Sequence, residues 1–83
     1  MAATKQDIEQ WLTVDVPDKA THMAVVCDTY DWSDYPVYVT EGQDAHKELE
    51  KYVRGDNMAK LMEVYNLKMD IQAQLKEHRV FNY

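Results

Sequence analysis

The run THMAVVCDT, residues 21–29, constrains the fold more than any other stretch of the chain. Met23, Val25 and Cys27 alternate with Ala24 and Val26, so a strand here is apolar on both faces. A second strand follows at Pro36-Val37-Tyr38-Val39, which is β-branched and aromatic, and its proline suits a strand's first residue or an edge. The connecting DTYDWSDY is too long for a two-residue turn and predicts a β-hairpin with an extended tip.

Helical signals bracket the hairpin. Thr4 reads as an N-cap, with Asp7 favourable to the helix dipole, and Ile8, Trp11 and Leu12 share one helical face before Pro17-Asp18 turns the chain. Thr40 to Gln43 has the S/T-x-x-E/Q form of a capping box. It predicts a helix from Glu41 to Arg54 with Ala45, Leu49, Tyr52 and Val53 on one face and Gly55 as its stop. Met58 to Leu67 fits two periods. Met58, Leu61, Met62 and Tyr65 match a helix, whereas Leu61, Glu63, Tyr65 and Leu67 alternate as a strand with Met62 and Val64 opposite. The strand is preferred, because two strands alone are marginal and a third completes a sheet that helices can cover. Asp70 then caps a last helix with Ile71, Leu75 and His78 on its apolar face, and the tail packs Phe81 back onto the body.

The expected architecture is one α+β domain over residues 1–83, a small three-stranded sheet covered by helices in the order α-β-β-α-β-α. The Glu41–Arg54 helix is the crossover, and a parallel connection through it would be right-handed. A chain of 83 residues buries about 60–65% of its extended surface, so the core is small. Hydrophobic residues at 46% still suffice to build it, and charged residues at 29% without long like-charge blocks argue against disorder. Cys27 is the single cysteine, which excludes an internal disulfide framework. The opening residues show no basic-then-apolar secretory pattern, and no apolar run approaches the roughly 18 residues of a membrane span, so a cytoplasmic location is expected.

The net charge of −6 is unevenly placed. Between Asp28 and Glu50 there are seven acids against one base, Lys47, while the remaining residues balance at eight of each. Phosphate backbones and anionic lipid repel an acidic surface, so neither nucleic acid nor membrane is expected as a direct partner. A basic protein surface suits it better.

His22, Cys27, Asp28 and His46 invite a catalytic or metal reading. On a regular strand, however, His22 and Cys27 point to opposite faces roughly 16 Å apart, the wrong geometry for a thiolate dyad. A buried, inert Cys27 is the plainer reading. No paired short Cys/His spacing supports zinc. Asp28, Asp31 and Asp34 superficially suggest a calcium loop, yet they lack the alternate spacing, the glycine and the closing glutamate. Phosphate-loop, dinucleotide and zinc-protease motifs are missing too, and no cofactor is expected.

The hairpin tip is more informative. Tyr30, Trp32, Tyr35 and Tyr38 are interleaved with Asp28, Asp31 and Asp34. Rings of this kind dominate interface hot spots, and flanking acids steer a basic partner. Asp28, Tyr30, Asp31, Trp32, Asp34 and Tyr35 form the candidate binding set. The competing reading packs the rings over the sheet and uses the aspartates as turn caps. Met58, Met62 and Met69, with Leu61 and Tyr65, are either core or an adaptable apolar surface.

THMAVVCDTYDWSDYPVYV, followed by MEVYNL and the terminal QLKEHRVFNY, resembles a family of small uncharacterised proteins from bacteriophages and bacteria. The resemblance covers about residues 20–83 and is most distinctive from His22 to Val39. It implies a bacterial or phage-infected cytoplasm and strand-hairpin proteins, and carries over no activity or assigned site. Three functions follow as expectations. The first is a small interaction module docking on a basic site of a larger host or nucleic-acid-binding protein, its aspartates imitating phosphates. The second is a small enzyme or ligand-binding domain using His22, Cys27 and Asp28. The third is a self-assembling subunit or homodimer joined by an edge strand or the methionine surface. The first is preferred, and catalysis is not expected.

Overall fold

The strand that is apolar on both faces lies at the centre of the sheet. The computed structural model describes residues 4–55, 58–77 and 80–83. Along the chain come α1 (Lys5–Thr13), β1 (Ala20–Asp28), β2 (Ser33–Thr40), α2 (Ala45–Val53), β3 (Ala59–Asn66) and α3 (Ile71–Lys76). The strands lie in the order β2-β1-β3, and β1 pairs antiparallel with both neighbours. Among these three strands no adjacent pair is parallel. β2 and β3 share a direction with β1 between them, and α2 connects them across it.

Burial on β1 follows its alternation. Ala24 and Val26 pack with Val39, Ala45, Leu49, Ala59, Leu61 and Val64, which puts α2 on one face. Met23 and Val25 pack with Ile8, Leu12, Tyr65, Leu75 and Val80, which puts α1 and α3 on the other. Each fully buried Val or Leu contributes about 1.5–3 kcal/mol. A sheet sandwiched in this way gains from both sides of its middle strand.

Capping explains where the helices begin. At α1, Thr4 Oγ1 accepts the Asp7 N–H and Asp7 Oδ2 accepts the Thr4 N–H, both at 3.1 Å, which is a reciprocal capping box. The second predicted box does not start a helix. Thr40 remains in β2, paired with Ala20, and Gly42 has φ +87°, which a helical first turn excludes. Gln43 Oε1 does accept the Thr40 N–H at 2.9 Å, but that bond closes a turn. The α2 N-cap is Asp44, whose Oδ1 accepts the N–H of His46 at 3.0 Å and of Lys47 at 3.4 Å. α2 is therefore shorter than the predicted Glu41–Arg54 helix, and Val53 at its end is exposed rather than buried. Gly55, at φ +78°, follows the Arg54 C-cap as expected.

Residues 58–67 resolve in favour of the strand, but its simple alternation fails. Val25 pairs with Glu63 and Val26 with Leu61, so Met62 is an extra residue in a bulge. The bulge reverses the phase. Leu61 and Val64, three apart, share the α2 face, while Met62 and Tyr65 turn to the other.

The tail docks differently from expectation. The Val64 N–H donates to Val80 O at 2.7 Å, and the Asn82 N–H donates to Val64 O at 3.0 Å, forming a short parallel bridge on the outer edge of β3. Val80 is buried, whereas Phe81 points the opposite way and is 50% exposed. Gln74, also buried, ties three elements together. Its Oε1 accepts from the Asn66 N–H at 2.9 Å and Asn82 Nδ2 at 3.0 Å, and its Nε2 donates to Asn66 O at 3.0 Å and Asp70 O at 3.2 Å. Asp70 caps α3 as read, through the Ala73 N–H at 3.2 Å, while Ile71 and Leu75 pack inward. His78, assigned to that apolar face, lies outside the described residues.

Candidate functional site

The hairpin connection is short because β2 runs further than predicted. It begins at Ser33 instead of Pro36, and with β1 ending at Asp28 only Thr29–Trp32 remain as the turn. Local hydrogen bonds fix it. Asp28 Oδ1 accepts the Tyr30 N–H at 2.9 Å, and the Trp32 N–H donates to Asp28 O at 2.7 Å. Asp31 Oδ1 accepts from the Ser33 N–H at 3.0 Å and the Ser33 Oγ–H at 2.7 Å, and these bonds hold the Asp31 carboxyl below its ordinary range. The turn is also pinned to the chain leading into β3. The Thr29 N–H and Oγ1–H both donate to Met58 O, at 2.7 and 2.8 Å.

Among the described residues two non-glycine residues adopt left-handed backbone conformations, and both belong to this end of the sheet. Trp32 has φ +61° and Met58 has φ +62°. Their side chains remain in solvent: Trp32 is 66% exposed and Met58 53%, alongside Tyr30 at 79%. A hydrogen-bonded backbone therefore carries the exposed rings and thioether, so the main chain here has little further freedom to lose on binding.

Of the candidate binding set, Asp28, Tyr30, Asp31 and Trp32 share the turn and its base, and Asp34 stands opposite Cys27 on β2. The Cys27 thiol is raised above 9.0 by burial first, then by its hydrogen bond to Asp34 and by the charges of Asp34, Asp28 and Asp31. Tyr35 is partly exposed, and burial first, then Tyr52, Asp28 and Cys27, raises its hydroxyl pKa. Tyr38 separates from the group. It packs with the α1 and α3 cluster, and its Oη–H donates to Trp11 O at 2.8 Å.

The rest of the acidic segment does not join the tip. Thr40 pairs with Ala20 at the far end of the sheet, so Glu41 and Asp44 lie roughly 23 Å of strand away from Ser33. Glu48 and Glu50 are exposed along α2, with Glu50 Oε1 paired to Arg54 at 3.4 Å. The charge imbalance is continuous in sequence but divided in space.

The His22–Cys27–Asp28 grouping is not assembled. His22 pairs with Val39 and Asn66, and Cys27 with Asp34 and Lys60, at opposite ends of β1. His22 Nδ1 meets Thr21 Oγ1 at 2.9 Å, and its buried Nε2 has no partner among the described residues. His46 stacks its ring on Tyr83, with centroids 3.9 Å apart. A raised thiol also opposes nucleophilic use of Cys27. Among the described residues no three His, Cys, Asp or Glu side chains gather as a metal site, and no helix is long and apolar enough to cross a membrane.

Sequence reasoning missed one tip residue, Met58, which it assigned to core or to a methionine surface. It reaches the tip through contacts with Thr29, 29 positions earlier, and no local pattern announces them. No protein-family model, curated protein or solved structure matches the chain.

Proposed function

We propose that the protein is a small interaction module that docks its hairpin tip on a basic site of a larger protein. The observation carrying this reading is the exposed Trp32 ring, set on a hydrogen-bonded turn beside Tyr30 and Met58. Exposed aromatic side chains bury large areas at low entropic cost and anchor interfaces, and a flexible methionine beside them adapts its shape to the partner. Asp28, Asp31 and Asp34 supply the charge complement, which accelerates encounter with a cationic surface and selects against acidic ones. On this reading the carboxylates imitate the phosphates that a nucleic-acid-binding protein recognises, and the family resemblance directs the search to bacterial hosts.

The test is affinity capture from bacterial lysate, with the tagged wild type beside the double substitution Asp31→Lys and Trp32→Ala. A basic protein is recovered by the wild type, its yield falls as salt rises, and the double variant recovers at least about tenfold less. Equal recovery by a folded double variant refutes the reading.

A further inference from the structure

We propose that Pro36 and Gln43 close the outer edge of β2 to strand addition, and so keep a second copy of the chain from joining the sheet there. The order β2-β1-β3 leaves β2 with one unpaired side among the described residues. An antiparallel strand sends its N–H and C=O groups to alternate sides, residue by residue. Val39 O accepts from Thr21 Oγ1 at 3.2 Å and the Glu41 N–H donates to Lys19 O at 2.9 Å, so both residues face β1 and the chain leading into it. The register irregularity lies between Ala20 and His22 of β1, and β2 itself runs unbroken from Ser33 to Thr40. Thr40, Tyr38, Pro36 and Asp34 therefore face outward.

Two of these four positions offer no donor. Pro36 has no N–H, and it stands in the middle of the strand. The Thr40 N–H is held by Gln43 Oε1 at 2.9 Å. At most Asp34 and Tyr38 remain, roughly 13 Å apart, whereas an added antiparallel strand bonds at every second residue. The guard matters because Tyr35, Val37, Tyr38 and Val39 favour strand pairing, and an open edge of that composition invites it. Part of the outer edge of β3 is covered in a related way. The Gln74 amide bonds both the N–H and the C=O of Asn66, and the tail bonds both groups of Val64. This guard acts on self-association and is independent of what the hairpin tip docks on.

Pro36→Val supplies the missing donor and suits a strand. Sedimentation velocity on the whole chain is expected to find wild type monomeric up to about 1 mM and Pro36→Val dimeric within that range. Pro36→Thr, which adds the N–H with a polar side chain, behaves alike. Adding Gln43→Ala frees the Thr40 N–H and tightens either dimer roughly three- to tenfold. Hydrogen exchange locates the contact: the Tyr38 amide gains protection with concentration in the variants and not in wild type. Wild type gaining that protection, folded Pro36→Val and Pro36→Thr remaining monomeric, or variants associating with Tyr38 unprotected each overturns the proposal.

Discussion

Tyr65 is fully buried and donates its Oη–H to Glu63 Oε2 at 3.2 Å, and Glu63 itself is only 8% exposed. Burial first, then the Glu63 charge and this hydrogen bond, pushes the phenol far above its ordinary value of 10.0. The folded chain therefore retains a proton that the unfolded chain releases above about pH 10. The stability this supplies is complete below pH 10 and declines as pH rises further. Tyr35 and Tyr38 shift the same way, burial being the leading cause in both, with smaller weight at these more open positions. Tyr65→Phe removes the donor from a buried carboxylate, so urea unfolding at pH 7 shows a loss of about 1–3 kcal/mol. The same variant loses less stability than wild type between pH 10 and 11. An unchanged alkaline slope would mean that Tyr65 does not carry this dependence. Neither member of the pair stood out in the sequence, because Glu63 reads as an ordinary polar position on a strand.

At the scale of elements, the two capping boxes show what local pattern can and cannot decide. Thr4 with Asp7 and Thr40 with Gln43 carry similar spacing, yet only the first begins a helix. The second lost to β-sheet pairing at Thr40 and to the left-handed Gly42, and these are settled by partners far along the chain. The β3 bulge is illegible for the same reason, since its register is set against β1. The hairpin itself was readable from alternation and composition, and so were the rings and acids of its tip. The left-handed backbone of Trp32 was not. Because that conformation disfavours a side chain by about 1–2 kcal/mol, Trp32→Gly relieves strain that glycine's greater unfolded-state entropy offsets. Chemical denaturation is expected to find its stability within about 1 kcal/mol of wild type while lysate capture is lost. Destabilisation well beyond that would show the indole to be a packing element, not a displayed one.

At the scale of the molecule, the fold divides what the sequence concentrates. The acidic stretch from Asp28 to Glu50 appeared to be one face, but β2 carries Glu41 and Asp44 to the far end of the sheet. The docking claim thus rests on a smaller area in which three carboxylates, two exposed rings and Met58 meet. A photo-crosslinking phenylalanine analogue at position 32, compared with the same analogue at Val14, which is 72% exposed on another element, tests this claim most directly. With lysate present, position 32 should yield a discrete adduct with a basic protein, suppressed by salt, and position 14 should yield none. Adducts at both positions alike, or at neither, would contradict the assignment of the hairpin tip as the docking site.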